Sequence, residues 1–217
     1  MSPHGTLWRV HAIEVWVTDL DTHDDAAPVL SADERERAAR FHFEHHRQRF
    51  VRCRTLLRQL IAQSTGGDAA SLAFRYNTYG KPELDGIHFN VSHSANIAVI
   101  ALTQEPIGID VEAINPAANV MPLAHTAFSP GECAALAALP DQQRIAAFFR
   151  GWTRKEAYLK LLGTGFSLPS DSFTVSLEAN PLSFIGDYAL RDLDVAAGFA
   201  CAIATRRGTP PPHVHKV

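Results

Sequence analysis

Two capping boxes, Ser31-Ala32-Asp33-Glu34 near the start of the chain and Ser129-Pro130-Gly131-Glu132 past its middle, most constrain what it can fold into. In each, a serine can cap the first free N–H groups of a helix while a glutamate three residues on reaches back to the serine's own N–H. The first box opens a helix that runs in pieces to about Ile61 and stops before Ser64-Thr65-Gly66-Gly67. The second has proline at the first helical position and precedes a basic helix from Arg150 to Leu162, which Gly163-Thr164-Gly165 ends. Short strands bounded by turn residues follow each helix: Leu72 to Tyr76, Ile87 to Val91 and Ile97 to Leu102, then Phe173 to Leu177, Tyr188 to Leu190 and Phe199 to Thr205. Leu7 to Val17 reads as a further strand and Asp19 to Pro28 as a polar loop, and Pro210-Pro211-Pro212 opens a tail expected to be loose. The pattern predicts an α+β chain of two similar halves, 1–104 and 105–217, with a ligand site at the seam, Gln104-Glu105-Pro106. Residue identity between the halves is low, so duplication and coincidence both account for the order.

The seam leads into Gly108-Ile109-Asp110-Val111-Glu112. A strand's period of two turns Asp110 and Glu112 to one face and Ile109 and Val111 to the other. Paired acids on a strand are often just its solvent face, but the apolar frame implies burial, where two carboxylates without a counterion are costly. On the basic helix, Trp152, Glu156 and Lys160 share a face at i, i+4 spacing. A Glu–Lys pair so spaced is most often a surface salt bridge contributing a few tenths of a kcal/mol. The alternative is that Glu156 joins Asp110 and Glu112 around a hard cation such as Mg²⁺, or acts as a base, while Lys160 meets a phosphate.

The net charge of -3 argues against a nucleic-acid binder, although eight of the sixteen arginines fall between Arg35 and Arg58. Most of these suit a solvated helix face balanced by Glu34, Glu36 and Glu44; the guanidinium fork also suits a small polyanion. No eighteen-residue apolar run is present and Met1 to Thr6 lacks a secretory profile, so a cytosolic protein without membrane contact is expected. Cys53, Cys133 and Cys201 match no motif and read as buried free thiols. His42, His45, His46, His213 and His215 fit no zinc spacing and read as surface residues.

Phe89-Asn90-Val91-Ser92-His93-Ser94 places hydroxyls and an imidazole at a strand end, where phosphate contact suits them better than a hydrolase triad. Tyr79-Gly80-Lys81-Pro82 is a turn expected to expose Lys81, and it is no P-loop. Gly163-Thr164-Gly165-Phe166-Ser167 follows a helix, which excludes a dinucleotide fingerprint.

Taken in order, Gly80-Lys81-Pro82, Phe89 to Ser94, Ile107 to Glu112, and Phe149 with Trp152-Thr153-Arg154-Lys155-Glu156-Ala157-Tyr158-Leu159-Lys160 resemble the motifs of the Sfp-type 4′-phosphopantetheinyl transferases. The resemblance runs from about Ser31 to Phe173. It implies two halves related by a pseudo-twofold axis, and Mg²⁺-dependent transfer of the phosphopantetheine arm of coenzyme A to a serine of an acyl or peptidyl carrier protein, releasing adenosine 3′,5′-bisphosphate. It makes Asp110, Glu112 and Glu156 the magnesium ligands, Glu156 the candidate base and Lys160 the diphosphate contact. Arg37, Arg54, Lys81, Ser92 and His93 would line the coenzyme A site in the first half, and Gly165-Phe166-Ser167-Leu168 would dock the carrier, with a core role for Phe166 as the alternative. A monomer is expected, since the two halves supply within one chain the interface a dimer would make. Two other classes keep some of the same residues: an Mg²⁺-dependent phosphohydrolase with water in place of serine, and a non-catalytic module that binds coenzyme A or a carrier.

Overall fold

The computed structural model describes residues 12–22, 27–180 and 182–217, and Phe166 by its backbone alone. Of the strand expected from Leu7, the part up to His11 lies outside the described residues, as do 23–26 of the expected loop. Strand β1 spans Glu14–Asp19 and leads through the loop to helices α1 (Ala32–Ala39) and α2 (Glu44–Thr65). A two-stranded hairpin, β2 (Arg75–Tyr76) and β3 (Pro82–Glu83), precedes β4 (His88–Ser94), β5 (Ile97–Thr103) and β6 (Gly108–Ala113). Helices α3 (Val120–Ala127), α4 (Pro130–Ala138) and α5 (Asp141–Leu162) follow, then β7 (Leu182–Ile185), β8 (Tyr188–Asp192), β9 (Phe199–Arg206) and β10 (His213–Lys216). Both long helices close on a glycine in the left-handed conformation, Gly66 at φ 63° and Gly163 at φ 67°, where a side chain would be strained.

The fold is α+β with two similar halves, each built on a four-stranded sheet: β10-β1-β5-β4 and β6-β9-β8-β7. Their inner faces share one apolar core, with Val15, Val17, Val99 and Ala101 from the first sheet and Ile109, Val111, Cys201 and Ile203 from the second. Helix α2 covers the outer face of the first sheet through Leu57, Leu60 and Ile61 against Phe89, Ile100 and Leu102. Helix α5 covers the second through Ala157 and Leu161 against Leu190, Ala202 and Ala204. A methyl group on Gly108 would overlap the backbone of Ala157 and Leu161, so this glycine sets how closely α5 approaches β6. No helix among the described residues is long and apolar enough to cross a membrane. The three cysteines are free and buried, and burial pushes the Cys53 thiol up to about 11.

Three expectations are corrected. Helix α5 begins at Asp141, a full two turns before Arg150. Phe173 to Leu177 is no strand: side chains take its backbone instead, with Lys155 Nζ on the Phe173 carbonyl (2.6 Å), Val175 N–H on Glu132 Oε1 (2.7 Å), Arg154 on the Ser176 carbonyl (2.6 Å) and Arg150 on the Leu177 carbonyl (2.7 Å). The tail beyond Pro212 is not loose but pairs parallel with β1 as β10. There His215 stacks on Trp16 at 5.2 Å and both His213 and His215 reach the Glu14 carboxylate.

Candidate active site

Strands β4 and β6 are edges of their sheets and meet side by side. An edge strand presents unpaired N–H groups, and here side chains rather than backbone answer them. Ile109 N–H donates to Asn90 Oδ1 (2.8 Å), Val111 N–H to Ser92 Oγ (3.3 Å) and Ala113 N–H to Ser94 Oγ (3.1 Å). The period of two on β4 thus matches the period of two on β6. The opposite residues of β6, Asp110 and Glu112, face α5.

Asp110 is 3% exposed. Its Oδ1 accepts from Ser92 Oγ (2.8 Å) and from Lys160 Nζ (2.6 Å), while its Oδ2 is buried with no partner among the described residues. Glu112 Oε2 accepts from Ser94 Oγ (2.7 Å). Helix α5 presents Trp152, Glu156 and Lys160 half-buried toward this strand, and the intervening Arg154 and Lys155 point away into structural roles. Arg154 is bound by Asp192 and the carbonyls of Ser176 and Asn180; Lys155 is bound by Glu132 and the carbonyls of Ser170 and Phe173. The surface Glu156–Lys160 salt bridge is not formed, since the Lys160 ammonium goes to Asp110 and Ser92.

Burial raises the pKa of all three carboxylates. For Asp110 the Lys160 ammonium and the Ser92 hydroxyl oppose it. For Glu112 the Ser94 hydroxyl opposes it and the Asp110 charge adds to it. For Glu156 the charges of Asp110 and Glu112 add to it. Three carboxylates that repel one another, one with an orphaned buried oxygen, form a donor set that suits a hard cation retaining some of its waters. Among the described residues no three such side chains are gathered closely enough to chelate an ion unaided.

Lys160 and Glu156 also line a cavity of about 240 Å³ with Tyr79, Lys81, Asn90 and Leu159. Lys81 is not exposed as expected: its ammonium donates to the carbonyl of Lys160 (2.6 Å) in the last turn of α5, where a cation meets the negative end of the helix. Burial lowers its pKa. Asn77 fixes this turn by accepting from the N–H groups of Tyr79 and Lys81 and donating to the Gly163 carbonyl.

His93 lies on the face of β4 opposite Ser92, with an exposed edge. Burial of the rest of the ring, then the charges of Lys160, Arg37, Arg49 and His46, lowers its pKa and favours the neutral imidazole. Arg37 is exposed, its guanidinium over the Phe50 ring at 5.2 Å. Arg54 donates through Nε to Glu34 Oε1 (2.7 Å) and lies over Phe74. Arg49 and His46, near His93, read from the sequence as part of a solvated face and as a surface residue, and the bridging of the β6 edge by Asn90 and Ser94 is not foreseen there, where the Ser94 hydroxyl reads as a phosphate contact. Only the alternation Asn90, Ser92, Ser94 within one motif could have signalled that bridging.

Two family profiles match the chain: that of the 4′-phosphopantetheinyl transferase N-terminal region over residues 14–105, and that of the 4′-phosphopantetheinyl transferase superfamily over residues 106–204. The chain is 40% identical over 166 residues to the 4′-phosphopantetheinyl transferase HetI of Nostoc sp. (strain PCC 7120), covering 71% of this chain and 70% of that one. The chain belongs to the 4′-phosphopantetheinyl transferase family. It is a transferase. It is also 37% identical over 158 residues to a 4′-phosphopantetheinyl transferase of Bacillus subtilis (71% of this chain, 70% of the relative). With the Sfp transferase of Bacillus subtilis strain 168 it shares 34% identity over 151 residues (68% and 66%). The acidic strand and its helix partner thus fall within the matched region of a transferase.

Proposed function

We propose that this transferase moves the 4′-phosphopantetheine arm of coenzyme A onto a serine of an acyl or peptidyl carrier protein and releases adenosine 3′,5′-bisphosphate. The observation that carries the reading is the buried Asp110 carboxylate, with Oδ2 unpartnered among the described residues, Oδ1 on Lys160 and its charge acting on Glu156, where Lys160 and Glu156 line a cavity. Asp110, Glu112 and Glu156 would hold Mg²⁺, which when bound would neutralise charge on the diphosphate. The serine oxygen attacks the phosphorus on the pantetheine side, the bond to the bridging oxygen breaks, and that oxygen leaves with the nucleotide. Lys160 stabilises the growing charge on the leaving phosphate, more in the transition state than in the ground state. Glu156, whose pKa burial raises, takes the serine proton directly or through a water.

Arg37, Lys81, Ser92 and His93 line the coenzyme A site, and Arg54 adds the N–H groups that Glu34 leaves over. The half 1–104 supplies these phosphate contacts and the half 105–217 the metal site. The turn at Gly165 to Leu168 docks the carrier. The enzyme acts as a cytosolic monomer, with neither nucleic acid nor membrane as partner. Incubation with coenzyme A, Mg²⁺ and an apo carrier protein tests the reading by mass spectrometry: transfer adds about 340 Da to the carrier, whereas hydrolysis leaves it unchanged. Asp110→Ala and Glu156→Ala abolish transfer while coenzyme A binding partly survives; near-normal turnover in either variant refutes the metal role.

A further inference from the structure

The hydroxyls of β4 do more than close the edge of β6. A serine oxygen that accepts an edge N–H has its own proton left to donate, and in both cases the acceptor is the carboxylate of the residue just before that N–H. Ser92 accepts from Val111 and donates to Asp110; Ser94 accepts from Ala113 and donates to Glu112. The third rung, Asn90 to Ile109, follows Gly108 and has no carboxylate to serve. Ser92 also touches Lys160, so its contact is shared with the ammonium, whereas Ser94 acts on Glu112 alone among the described residues.

We infer that Ser94 is a positioning residue for the metal site: it orients the Glu112 carboxylate toward the cation by holding Oε2 from the neighbouring sheet. The inference rests on the reading that Glu112 is a ligand. A glutamate has three rotatable side-chain bonds, and a hydroxyl itself fixed by the β6 backbone limits them before the ion arrives. The same geometry explains why a short hydroxyl side chain stands at this register: its oxygen must reach both an N–H and a carboxylate of the facing edge.

The test follows Mn²⁺ binding to the protein–coenzyme A complex by the loss of the free-ion electron paramagnetic resonance signal, without a carrier and so without turnover. Ser94→Ala is expected to raise the half-saturating Mn²⁺ concentration about ten-fold or more, and Ser94→Thr, which keeps the hydroxyl, to stay within about two-fold of the parent. In the transfer assay Ser94→Ala raises KM for Mg²⁺ while kcat at saturating Mg²⁺ largely recovers. Coenzyme A binding in the presence of a chelator is unchanged. If Glu112→Gln weakens Mn²⁺ binding and Ser94→Ala only lowers the melting temperature, the positioning role is overturned and the ligand role stands. If Glu112→Gln itself leaves Mn²⁺ binding intact, both fall.

Discussion

The Lys160 ammonium stands 2.6 Å from Asp110 Oδ1 and 2.9 Å from Ser92 Oγ, so one charge on α5 ties together the edge strands of both sheets. It is the nearest cation to a carboxylate that burial would otherwise neutralise. Lys160→Met should therefore cost transfer activity by two orders of magnitude or more and also destabilise the fold. The stability loss is about 1–3 kcal/mol, below that of a fully buried pair because Lys160 is 29% exposed. Combining Lys160→Met with Asp110→Asn should recover most of the stability and none of the activity. Urea denaturation of the two variants checks the coupling, and additive losses would refute it.

Glu34 is a different kind of buried acid. It sits at the third helical position of the first capping box, reaches back to the Ser31 N–H and holds Arg58 and Arg54, with Glu34 and Arg58 only 2% and 1% exposed. Glu34→Gln leaves the Arg58 charge unneutralised in the interior and should destabilise the protein by about 3–5 kcal/mol. Coenzyme A binding to whatever fraction remains folded should persist. A stability change below about 1 kcal/mol in chemical denaturation would show that the charge on Glu34 is not needed to hold Arg58.

The acids of the two regions respond to pH in opposite directions. For Glu34 burial acts to raise the pKa, but the Ser31 N–H, Arg58 and Arg54 together outweigh it and hold the carboxyl below 4.5; its stabilisation is present above that value and is lost as pH falls through the depressed folded value. Asp110, Glu112 and Glu156 are raised above 3.8, 4.5 and 4.5, so between those values and their folded ones the unfolded chain has already released protons that the folded chain keeps. Stability from these three falls as pH rises through that window. A cation bound by the deprotonated carboxylates reverses the loss. The rise in melting temperature on replacing chelator with Mg²⁺ should therefore be larger at pH 8 than at pH 5, and an equal rise at both would count against the carboxylates as its source.

Gly108→Ala should disable the enzyme without altering any side chain in the site. The added methyl overlaps the carbonyl of Ala157 and the amide of Leu161, neither of which is the end of a flexible group, so α5 must move away from β6. That shift separates Glu156 and Lys160 from Asp110 and costs about 1–3 kcal/mol of stability. Transfer assays and thermal unfolding would both register the change; normal kcat with a normal melting temperature would mean that the helix can yield.

Much of this site could be read in the linear chain because its groups recur at the period of their elements. Asp110 and Glu112 share a strand face, and Trp152, Glu156 and Lys160 share a helix face, whichever partner those faces meet. The errors came where long-range partners replaced local ones. Phe173 to Leu177 had a strand's composition, but buried cations and Glu132 supply its backbone partners. The chain after three prolines looked loose, but Glu14 and Trp16 hold its histidines on an open sheet edge. Lys81 looked like an exposed turn residue, but it reaches the end of a helix that begins sixty residues further on.

The sequence by itself determined the capping boxes that open α1 and α4, the glycines that end α2 and α5, the faces of the acidic strand and the basic helix, and the family to which they belong. Each of these is set by bonds and spacings within a few residues. Only the tertiary structure decided that Lys160 pairs with Asp110 rather than Glu156, that Arg154 and Lys155 are pins in the core, and that Ser92 and Ser94 bridge one sheet's edge to the other's carboxylates. Burial makes the difference: a charge or N–H removed from water must find a partner in space, and that partner is chosen by the packing of elements far apart in the chain.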